Sequence, residues 1–251
     1  MKIIDVNAGA GFWPTQHFSV HTPDELDRFY QMDGIDEVWL SAVESILFPE
    51  PDTFDFRLFG KIAGLPRFRP VKTVHPILGN WRRSCEEALA GFPVVALKVF
   101  PNYHGYSLGS GPGDALCHFA RERNLPLLVS MRVNDERNQP SCMEVTGVPA
   151  EDIVRLSLRH PENRIHALCA YMHELKVLAT GSPNLMVDLS FLDDAETIAT
   201  ASRFIAPQRI VFGTHAPFLH VRAAALKLAH GALDATVHAA IAHNNVLKPS
   251  L

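Results

Sequence analysis

The residues of this sequence that are suited to acid–base or electrostatic chemistry lie at the ends of, or inside, short apolar runs. Asp5 and Asn7 end the first run, KIIDVN, and His215 ends the last one, IVFGTH. Lys98 and Arg132 interrupt apolar runs, where a long cation is costly unless it is paired or lines a cavity. Carboxylates and imidazoles move protons, and cations hold carboxylates or polarise carbonyls. The pattern therefore predicts a polar site built from strand ends.

Eight short, β-branched apolar runs predict the strands that position these residues. They are Lys2–Asn7, Glu37–Val43, Phe68–His75, Val94–Phe100, Pro126–Val133, Arg164–Ala170, Leu185–Phe191 and Ile210–His215. Their nearly continuous hydrophobicity is typical of parallel strands that are covered on both faces. Helical segments separate them, and the gap between the sixth and seventh runs is the shortest.

The segments between the runs carry helix signals. Thr22-Pro23-Asp24-Glu25 has an N-cap residue, a proline at the first helical position and acids in the first turn. Further helices are predicted at Ala195–Phe204, Val221–His230 and Leu233–Asn244. Eight βα units in 251 residues predict a single-domain (β/α)8 TIM barrel over residues 1–251. A doubly wound open sheet is the alternative, but no GxGxxG follows the first strand.

Composition and charge exclude several classes of function. The chain is 47% hydrophobic and 20% charged, with a formal net charge of −4 and no long run of like charge, which argues against a nucleic-acid or anionic-membrane partner. The start of the sequence lacks the basic segment of a signal peptide, and no apolar stretch approaches a membrane span. The four cysteines are far apart in the sequence, which predicts free, buried thiols in a reducing environment. We therefore expect a cytoplasmic protein with a small-molecule substrate.

In a β/α barrel, the reacting groups lie at the carboxyl ends of the strands and in the loops beyond them. These positions add His75 after the third run, Tyr103 and His104 in the loop PNYHGY after the fourth, and Asp188 in the seventh. Each has a structural alternative: His75 precedes a proline and caps a strand, and Asp188 accepts hydrogen bonds at a strand end.

Three stretches of the sequence resemble the amidohydrolase superfamily. IIDVNAGAG is similar to the first strand of its amidohydrolase-related branch of hydrolases and decarboxylases, Ile-Asp-x-His-x-His. VVALKVFPNYHGY resembles the fourth strand and loop, and RIVFGTHAPF resembles the eighth strand, Arg-(hydrophobic)-Phe-Gly-Ser/Thr-Asp-x-Pro-Phe. The closing Asn-Asn-Val-Leu, residues 244–247, also matches the way these chains end. The resemblance spans the whole chain and implies the same barrel.

The resemblance also implies a divalent-metal site, from which this sequence departs. Family members bind metal through the histidines of the first strand, histidines that end strands five and six, and the aspartate of strand eight. The corresponding positions here are Asn7 and Gly9, Ser130, the region of Cys169, and His215. Glycine offers no side-chain ligand, and a neutral amide is a poor zinc ligand. We therefore predict no metal cofactor; a rearranged zinc or other divalent-metal site at His75, His104 and His215 is the alternative.

The leading functional hypothesis is a metal-independent hydrolase of a small carboxylated ester or lactone, since the superfamily contains a lactonase branch that works without metal. Asp5 or His215 would activate water, Lys98 would hold a carboxylate or polarise a carbonyl, and His104 would protonate the leaving oxygen. The predicted catalytic residues are thus Asp5, His215, Lys98 and His104, and the predicted substrate-binding residues are Arg132, Asn7, His75 and Tyr103. Arg132 would share the carboxylate with Lys98, and Tyr103 is the alternative proton donor to the leaving oxygen.

Two other functions remain open from the sequence. A catalytically silent barrel would bind a small anionic metabolite, and a metal hydrolase would use the rearranged site. A homo-oligomer is a further hypothesis, because residues 221–247 are rich in Ala, Leu and Val.

Overall fold

The computed structural model describes residues 2–109, 111–231 and 233–247. Eight parallel strands form one sheet in the order β1 to β8. They are β1 (Ile4–Ala10), β2 (Glu37–Ala42), β3 (Phe68–Thr73), β4 (Ala96–Val99), β5 (Leu127–Ser130), β6 (Ile165–Leu168), β7 (Leu185–Asp188) and β8 (Ile210–Val211). Backbone hydrogen bonds from Val6 to Phe212 (3.0 Å) and from His215 to Asn7 (2.6 Å) join the last strand to the first. The predicted single-domain (β/α)8 barrel is confirmed.

Helices alternate with the strands and cover the outside of the barrel. They are α1 (Pro23–Met32), α2 (Asp52–Ile62), α3 (Trp81–Gly91), α4 (Gly111–Glu122), α5 (Ala150–Arg159), α6 (Leu175–Leu178), α7 (Thr197–Ala201), α8 (Val221–Ala229), α9 (Ala235–Ala239) and α10 (Asn245–Leu247). Helix α1 begins with the predicted cap: the Glu25 backbone donates to the Thr22 hydroxyl, and the Glu25 carboxylate accepts from the Thr22 backbone. None of the helices in the described ranges is long and apolar enough to cross a membrane.

The structure differs from the sequence prediction in the last third of the barrel. Helix α6 spans only four residues, in keeping with the short gap after the sixth run, and α7 spans five residues where a ten-residue helix was predicted. Before α7, Asp194 accepts hydrogen bonds from the backbone of Glu196 and the hydroxyl of Thr200, which replaces helical bonding with a turn. The predicted helix at 233–244 is the short α9 followed by a π-helical turn over 240–244.

The centre of the barrel has an apolar lower part and a polar upper part. Apolar side chains from all eight strands fill the lower part, among them Ile4, Val6, Val71, Leu128 and Val211. The buried ring of His166 stacks on Trp39 there, with 6.3 Å between ring centroids. At the carboxyl ends of the strands the inward side chains become polar. The barrel therefore places a buried polar layer on the face where β/α barrels carry their sites.

Candidate active site

The buried polar layer contains six side chains that come from six different strands or strand ends. They are Asn7, Ser41, Lys98, Cys169, Asp188 and His215, and each is at most 4% exposed. Three of them, Asn7, Lys98 and His215, are predicted site residues, and Asp188 was noted among the strand ends. Side chains that are up to 208 positions apart in sequence thus meet at one level of the barrel.

The side-chain amide of Asn7 lies at the middle of the layer and connects a cation to a carboxyl group. Its Oδ1 accepts a hydrogen bond from Lys98 Nζ at 2.9 Å, and its Nδ2 donates to Asp188 Oδ2 at 2.8 Å. The same Nδ2 lies 3.3 Å from Cys169 Sγ. Because the ammonium group only donates, these contacts fix the orientation of the amide.

Lys98 brings a charge into this layer. Its ammonium group also lies 3.4 Å from Ser41 Oγ and 5.5 Å from the centre of the Phe100 ring. Burial lowers the pKa of Lys98, and the nearby Cys169, Asp188 and Asp5 oppose that shift. Across the sheet, Lys98 pairs in register with Thr73, whose buried hydroxyl has no hydrogen-bond partner within the described part of the chain.

Asp188 is the carboxyl group that the Asn7 amide connects to this ammonium group. It accepts from the Cys169 backbone at 2.8 Å as well as from Asn7. Burial raises the pKa of Asp188, whereas the hydrogen bonds from Asn7, Cys169 and Ser190 and the charge of Lys98 lower it. Burial thus favours the protonated form, which is the form that donates a proton.

Cys169 and His215 contact each other beside Asn7. The His215 Nε2 lies 2.6 Å from the Val133 carbonyl, and its Nδ1 lies 3.4 Å from Cys169 Sγ. A carbonyl only accepts, so Nε2 carries the proton and Nδ1 faces the thiol. Burial lowers the pKa of His215 to about 3 and raises the pKa of Cys169 to about 12. Both groups are therefore neutral near pH 7.

Asp5 is not available as a general base, because its carboxyl oxygens are engaged in hydrogen bonds within the protein. Its two oxygens accept from the Tyr30 hydroxyl at 2.9 Å, from the Thr214 hydroxyl at 2.6 Å and from the backbones of Asn7 and Thr214. Four donors from three elements thus saturate a carboxyl group that is fully buried. This arrangement ties β1 to the segment after β8 and leaves no acceptor site directed at a water molecule.

Arg132 is paired within the protein. Its guanidinium group makes a bidentate salt bridge to Glu174, with distances of 2.6 and 2.9 Å, and donates to the Cys169 carbonyl. It also stacks on the Tyr171 ring, 3.8 Å from the ring centre. A substrate carboxylate would have to displace Glu174 to reach this cation. Glu174 carries no strand-end signal in the sequence, so this pairing was missed.

His75 and His104 form a stacked pair at a distance from His215. Their ring centroids are 4.0 Å apart with 4° between the planes, and His104 Nε2 lies 3.1 Å from the Ile46 carbonyl. Burial lowers the pKa of His104 to about 4, with a further contribution from His75. His215 instead contacts Cys169, Val133, Phe191 and Phe218. The three imidazoles that the sequence suggested as a metal site are thus divided between two places.

Aromatic side chains close the top of the layer, which the sequence analysis did not foresee. Trp13 packs edge-on against Tyr103 (5.8 Å) and Phe218 (5.4 Å), and Phe218 stacks on His215 at 4.9 Å. Beside them is a cavity of about 450 Å³ at the barrel mouth. Its lining includes Thr15, Gln16, Asn134, Asn138, Phe191 and Phe218. Phe191 and Phe218 pack against His215 and separate it from this cavity. The predicted residue Tyr103 packs on Trp13 and is therefore part of the aromatic cover, above the buried polar layer.

Comparison with known proteins identifies the fold. No protein-family model and no curated protein matches this sequence. Among solved structures, the 2,6-dihydroxybenzoate decarboxylase from Rhizobium is 13% identical, with a TM-score of 0.73 over 98% of this chain and 97% of that chain. A dihydroxybenzoic acid decarboxylase from a Polaromonas species, with bound manganese and the inhibitor 2-nitroresorcinol, is 14% identical (TM-score 0.72; 98% and 95%). A Staphylococcus aureus protein provisionally classed as an amidohydrolase is 13% identical (0.71; 98% of both chains).

These similarities confirm the amidohydrolase resemblance at the level of the fold and correct the functional prediction. The solved structures to which this barrel is similar include decarboxylases of aromatic acids, one of them with bound manganese, so the prediction of metal-independent hydrolysis of an ester or lactone is wrong. The error came from taking a metal-free precedent from one hydrolytic branch and assigning Asp5 and His215 to water activation by residue type. Both groups are buried and their hydrogen-bonding atoms are engaged within the protein, so neither is free to activate water.

The residues of this chain do not fit the manganese that the Polaromonas enzyme contains. Within residues 2–109, 111–231 and 233–247, no three His, Cys, Asp or Glu side chains converge as a metal-binding group. A side chain at Gly9 would begin 2.9 Å from Val43, and both ring nitrogens of His215 are engaged. Manganese prefers hard oxygen ligands, and around Asn7 these are the Asp188 carboxyl group and the oxygen of the Asn7 amide. The amide oxygen already accepts a hydrogen bond from Lys98.

Proposed function

We propose that this barrel is a decarboxylase of a small aromatic carboxylate and that the reaction takes place in the buried polar layer. The observation that carries this proposal is the Asn7 bridge, which holds an ammonium group at one end and a protonatable carboxyl group at the other. Lys98 supplies the charge that attracts a carboxylate, and Asp188 supplies a proton. Both are needed when a carboxylate leaves and a hydrogen takes its place.

The chemistry requires one proton and no external oxidant. Asp188 donates a proton to the ring carbon that bears the carboxylate, and a C–H bond forms. The bond between that carbon and the carboxylate then breaks, its electron pair restores the aromatic ring, and CO₂ leaves. Solvent returns a proton to Asp188. Lys98 orients the carboxylate until it loses its charge as CO₂, so its contact binds the substrate and positions it for protonation.

The substrate class follows from the cover and the neighbours. An aromatic ring suits a mouth whose walls include Phe191, Phe218 and the nearby Trp13, because such rings pack favourably edge-on or offset. Asn134, Asn138 and Gln16 line the same cavity and offer amide groups to ring hydroxyls. In this proposal the substrate enters through the cavity, and rotation of Phe218 opens the way past His215.

Binding without turnover is the second candidate, and one observation favours it. Asn7, Lys98, Asp188, Cys169 and His215 hydrogen-bond to one another beneath the aromatic cover, so the closed layer is satisfied without a substrate. In that case the 450 Å³ cavity alone would hold a small ligand. This candidate differs from the first in one measurable respect, which is the absence of CO₂ release.

The test is incubation of the purified protein with monohydroxy- and dihydroxybenzoates in D₂O, followed by mass spectrometry. Decarboxylation predicts a phenolic product with one deuterium on the carbon that carried the carboxylate. Lys98→Met, which shortens the side chain by one atom and removes its charge, should lower kcat/KM by about 100-fold or more. A ligand at about 100 times its Kd adds about 2.7 kcal/mol to the free energy of unfolding. Thermal stabilisation without product identifies the binding module, and neither effect across the panel refutes both candidates.

A further inference from the structure

The polar layer contains its own positive charge, which lies next to Asn7. The ammonium group of Lys98 has Asn7 Oδ1 at 2.9 Å and Ser41 Oγ at 3.4 Å as oxygen neighbours. Asn7 occupies the position of the first metal-ligating histidine in the motif that the first strand resembles. The Asn7 amide thus accepts a hydrogen bond from an ammonium group. The histidine of the family motif would instead bind a metal ion through a ring nitrogen.

The polar groups around Lys98 are those that a buried cation requires. Asp188 lies on the other side of the Asn7 amide, 2.8 Å from its Nδ2, and the amide dipole points its oxygen at the ammonium group. Asp5, whose two oxygens accept four hydrogen bonds, is also close enough to favour the charged form of Lys98 against the cost of burial. A buried ammonium group without such partners would lose its hydration without compensation.

The other ligand positions are used up by contacts within the protein. Ser130, at the end of β5, donates its hydroxyl to the Arg132 carbonyl at 2.9 Å. Cys169 Sγ accepts from Asn7 and faces His215 Nδ1, while His215 Nε2 donates to the Val133 carbonyl. Each side chain that stands at a ligand position therefore has a hydrogen-bond partner of its own.

We infer that Lys98 is the resident cation of this barrel and takes the place of a divalent metal. The ammonium group fills the space between Asn7 and Ser41, and a second positive charge beside it would be repelled at close range. The inference concerns the chain's own cation and stands whether or not the barrel decarboxylates its ligand. It predicts that the intact protein does not bind manganese or zinc at this site and that removing the lysine side chain creates a cation site.

The experiment compares cation binding by the wild type and by two variants of Lys98. The wild type, stripped with chelator, should show no saturable heat with MnCl₂ or ZnCl₂ in calorimetry and a change in Tm below about 1 °C. Lys98→Ala should lose several degrees in Tm and recover about half of that loss with about 0.1 M methylammonium, which restores an N–H cation in the vacated space. Tetramethylammonium, which has no N–H group, should not restore it.

Lys98→Met is the matched control, because its side chain fills the space without carrying a charge. It should lose stability as Lys98→Ala does but gain nothing from methylammonium. Stoichiometric binding of manganese or zinc by the wild type at the layer would overturn the inference, and so would equal responses of the two variants to methylammonium. If Lys98→Ala does not fold, two measurements still test the inference. It predicts no metal binding by the wild type and a lower Tm for Lys98→Met, and the opposite result in either measurement overturns it. A protein that binds no metal and yet fails in the hydroxybenzoate assay refutes the proposed function and leaves this inference intact.

Discussion

The sulfur of Cys169 lies 3.4 Å from Nδ1 of His215, and both residues have left-handed backbone conformations, with φ values of +61° and +55°. Such values are uncommon outside glycine and cost about 1 kcal/mol or more. Cys169 directly follows β6 and His215 lies four residues after the end of β8, and both side chains point into the buried polar layer. The protein therefore maintains two strained turns to bring a thiol and an imidazole together beside Asn7.

The environment of Cys169 predicts very low reactivity towards thiol reagents. Burial raises the pKa of Cys169 to about 12, and Cys85 and Cys117 are also buried with pKa values raised to about 12. Because the thiolate is the reactive form, only the exposed Cys142 should react promptly with a disulfide reagent. We expect one thiol per chain to react within minutes under native conditions and all four in denaturant. Cys142→Ser should remove the fast phase, and a fast phase that persists in this variant would contradict the buried geometry.

Buried neutral histidines predict a loss of stability in acid. Burial lowers the pKa of His104 to about 4 and the pKa values of His166 and His215 to about 3. Below pH 6.5 the unfolded chain takes up protons at these positions and the folded chain does not, so stability falls as pH falls toward the folded pKa. Between pH 7 and pH 5 each histidine should cost about 2 kcal/mol in the free energy of unfolding.

Urea titrations across this pH range measure the effect. His166→Gln should lower the number of protons taken up on unfolding in acid by about one, because it removes one of the three buried groups. The free energy of unfolding should therefore depend less steeply on pH. His118→Gln is the control, since His118 is exposed on α4, and it should keep the full slope. A wild-type protein equally stable at pH 5 and pH 7 would show that these imidazoles are hydrated in solution.

The barrel itself could be predicted from the sequence because its signals are local. Apolar, β-branched runs of six to eight residues identify the strands, and the Thr22–Glu25 capping box identifies the start of α1. The short helices α6 and α7 were harder to place, because side chain–backbone hydrogen bonds such as those of Asp194 decide where such helices begin.

The site could be predicted only in part. A lysine inside the apolar run that forms β4 indicates that a partner must exist, but not which residue it is. That partner, Asn7, is 91 positions away, and Glu174, the partner of Arg132, is 42 positions from it. Residue types alone assigned Asp5 to catalysis, whereas its four hydrogen-bond donors become visible only when β1 and the segment after β8 are adjacent.

The saturation of Asp5 predicts a structural rather than a catalytic effect of its neighbour Tyr30. The Tyr30 hydroxyl donates to Asp5 Oδ2 at 2.9 Å and also lies 3.0 Å from the Thr214 hydroxyl. Tyr30→Phe should lower the free energy of unfolding by about 1–2 kcal/mol, because it removes a buried hydrogen bond to a carboxyl group. Urea unfolding measures this loss.

Tyr106 provides a matched control for that substitution. Its hydroxyl is buried and has no hydrogen-bond partner among the residues that the structure describes. Tyr106→Phe should therefore leave stability unchanged or raise it slightly, since it removes a polar group that is unsatisfied. Equal losses in the two variants would mean that the Asp5 network adds nothing beyond the burial of the ring.

The last prediction concerns Asp188 and separates proton donation from binding. Asp188→Asn keeps the shape of the side chain and an oxygen that can accept from the Cys169 backbone, but it replaces Oδ2, which accepts from Asn7, with an amide group that does not give up a proton. If Asp188 protonates the ring carbon, kcat for a hydroxybenzoate substrate should fall by 10²–10⁴-fold while the substrate still raises the Tm.

The pH dependence of the wild type supplies an independent check on the same residue. Because burial raises the pKa of Asp188, the protonated form persists to higher pH than for an exposed aspartate, and kcat should fall as pH rises through that pKa. Asp193→Asn is the control: this carboxylate lines the mouth cavity and pairs with Lys227, so its loss should change KM at most. An Asp188→Asn variant with wild-type kcat would show that the proton comes from another group, and Cys169 would be the next to substitute.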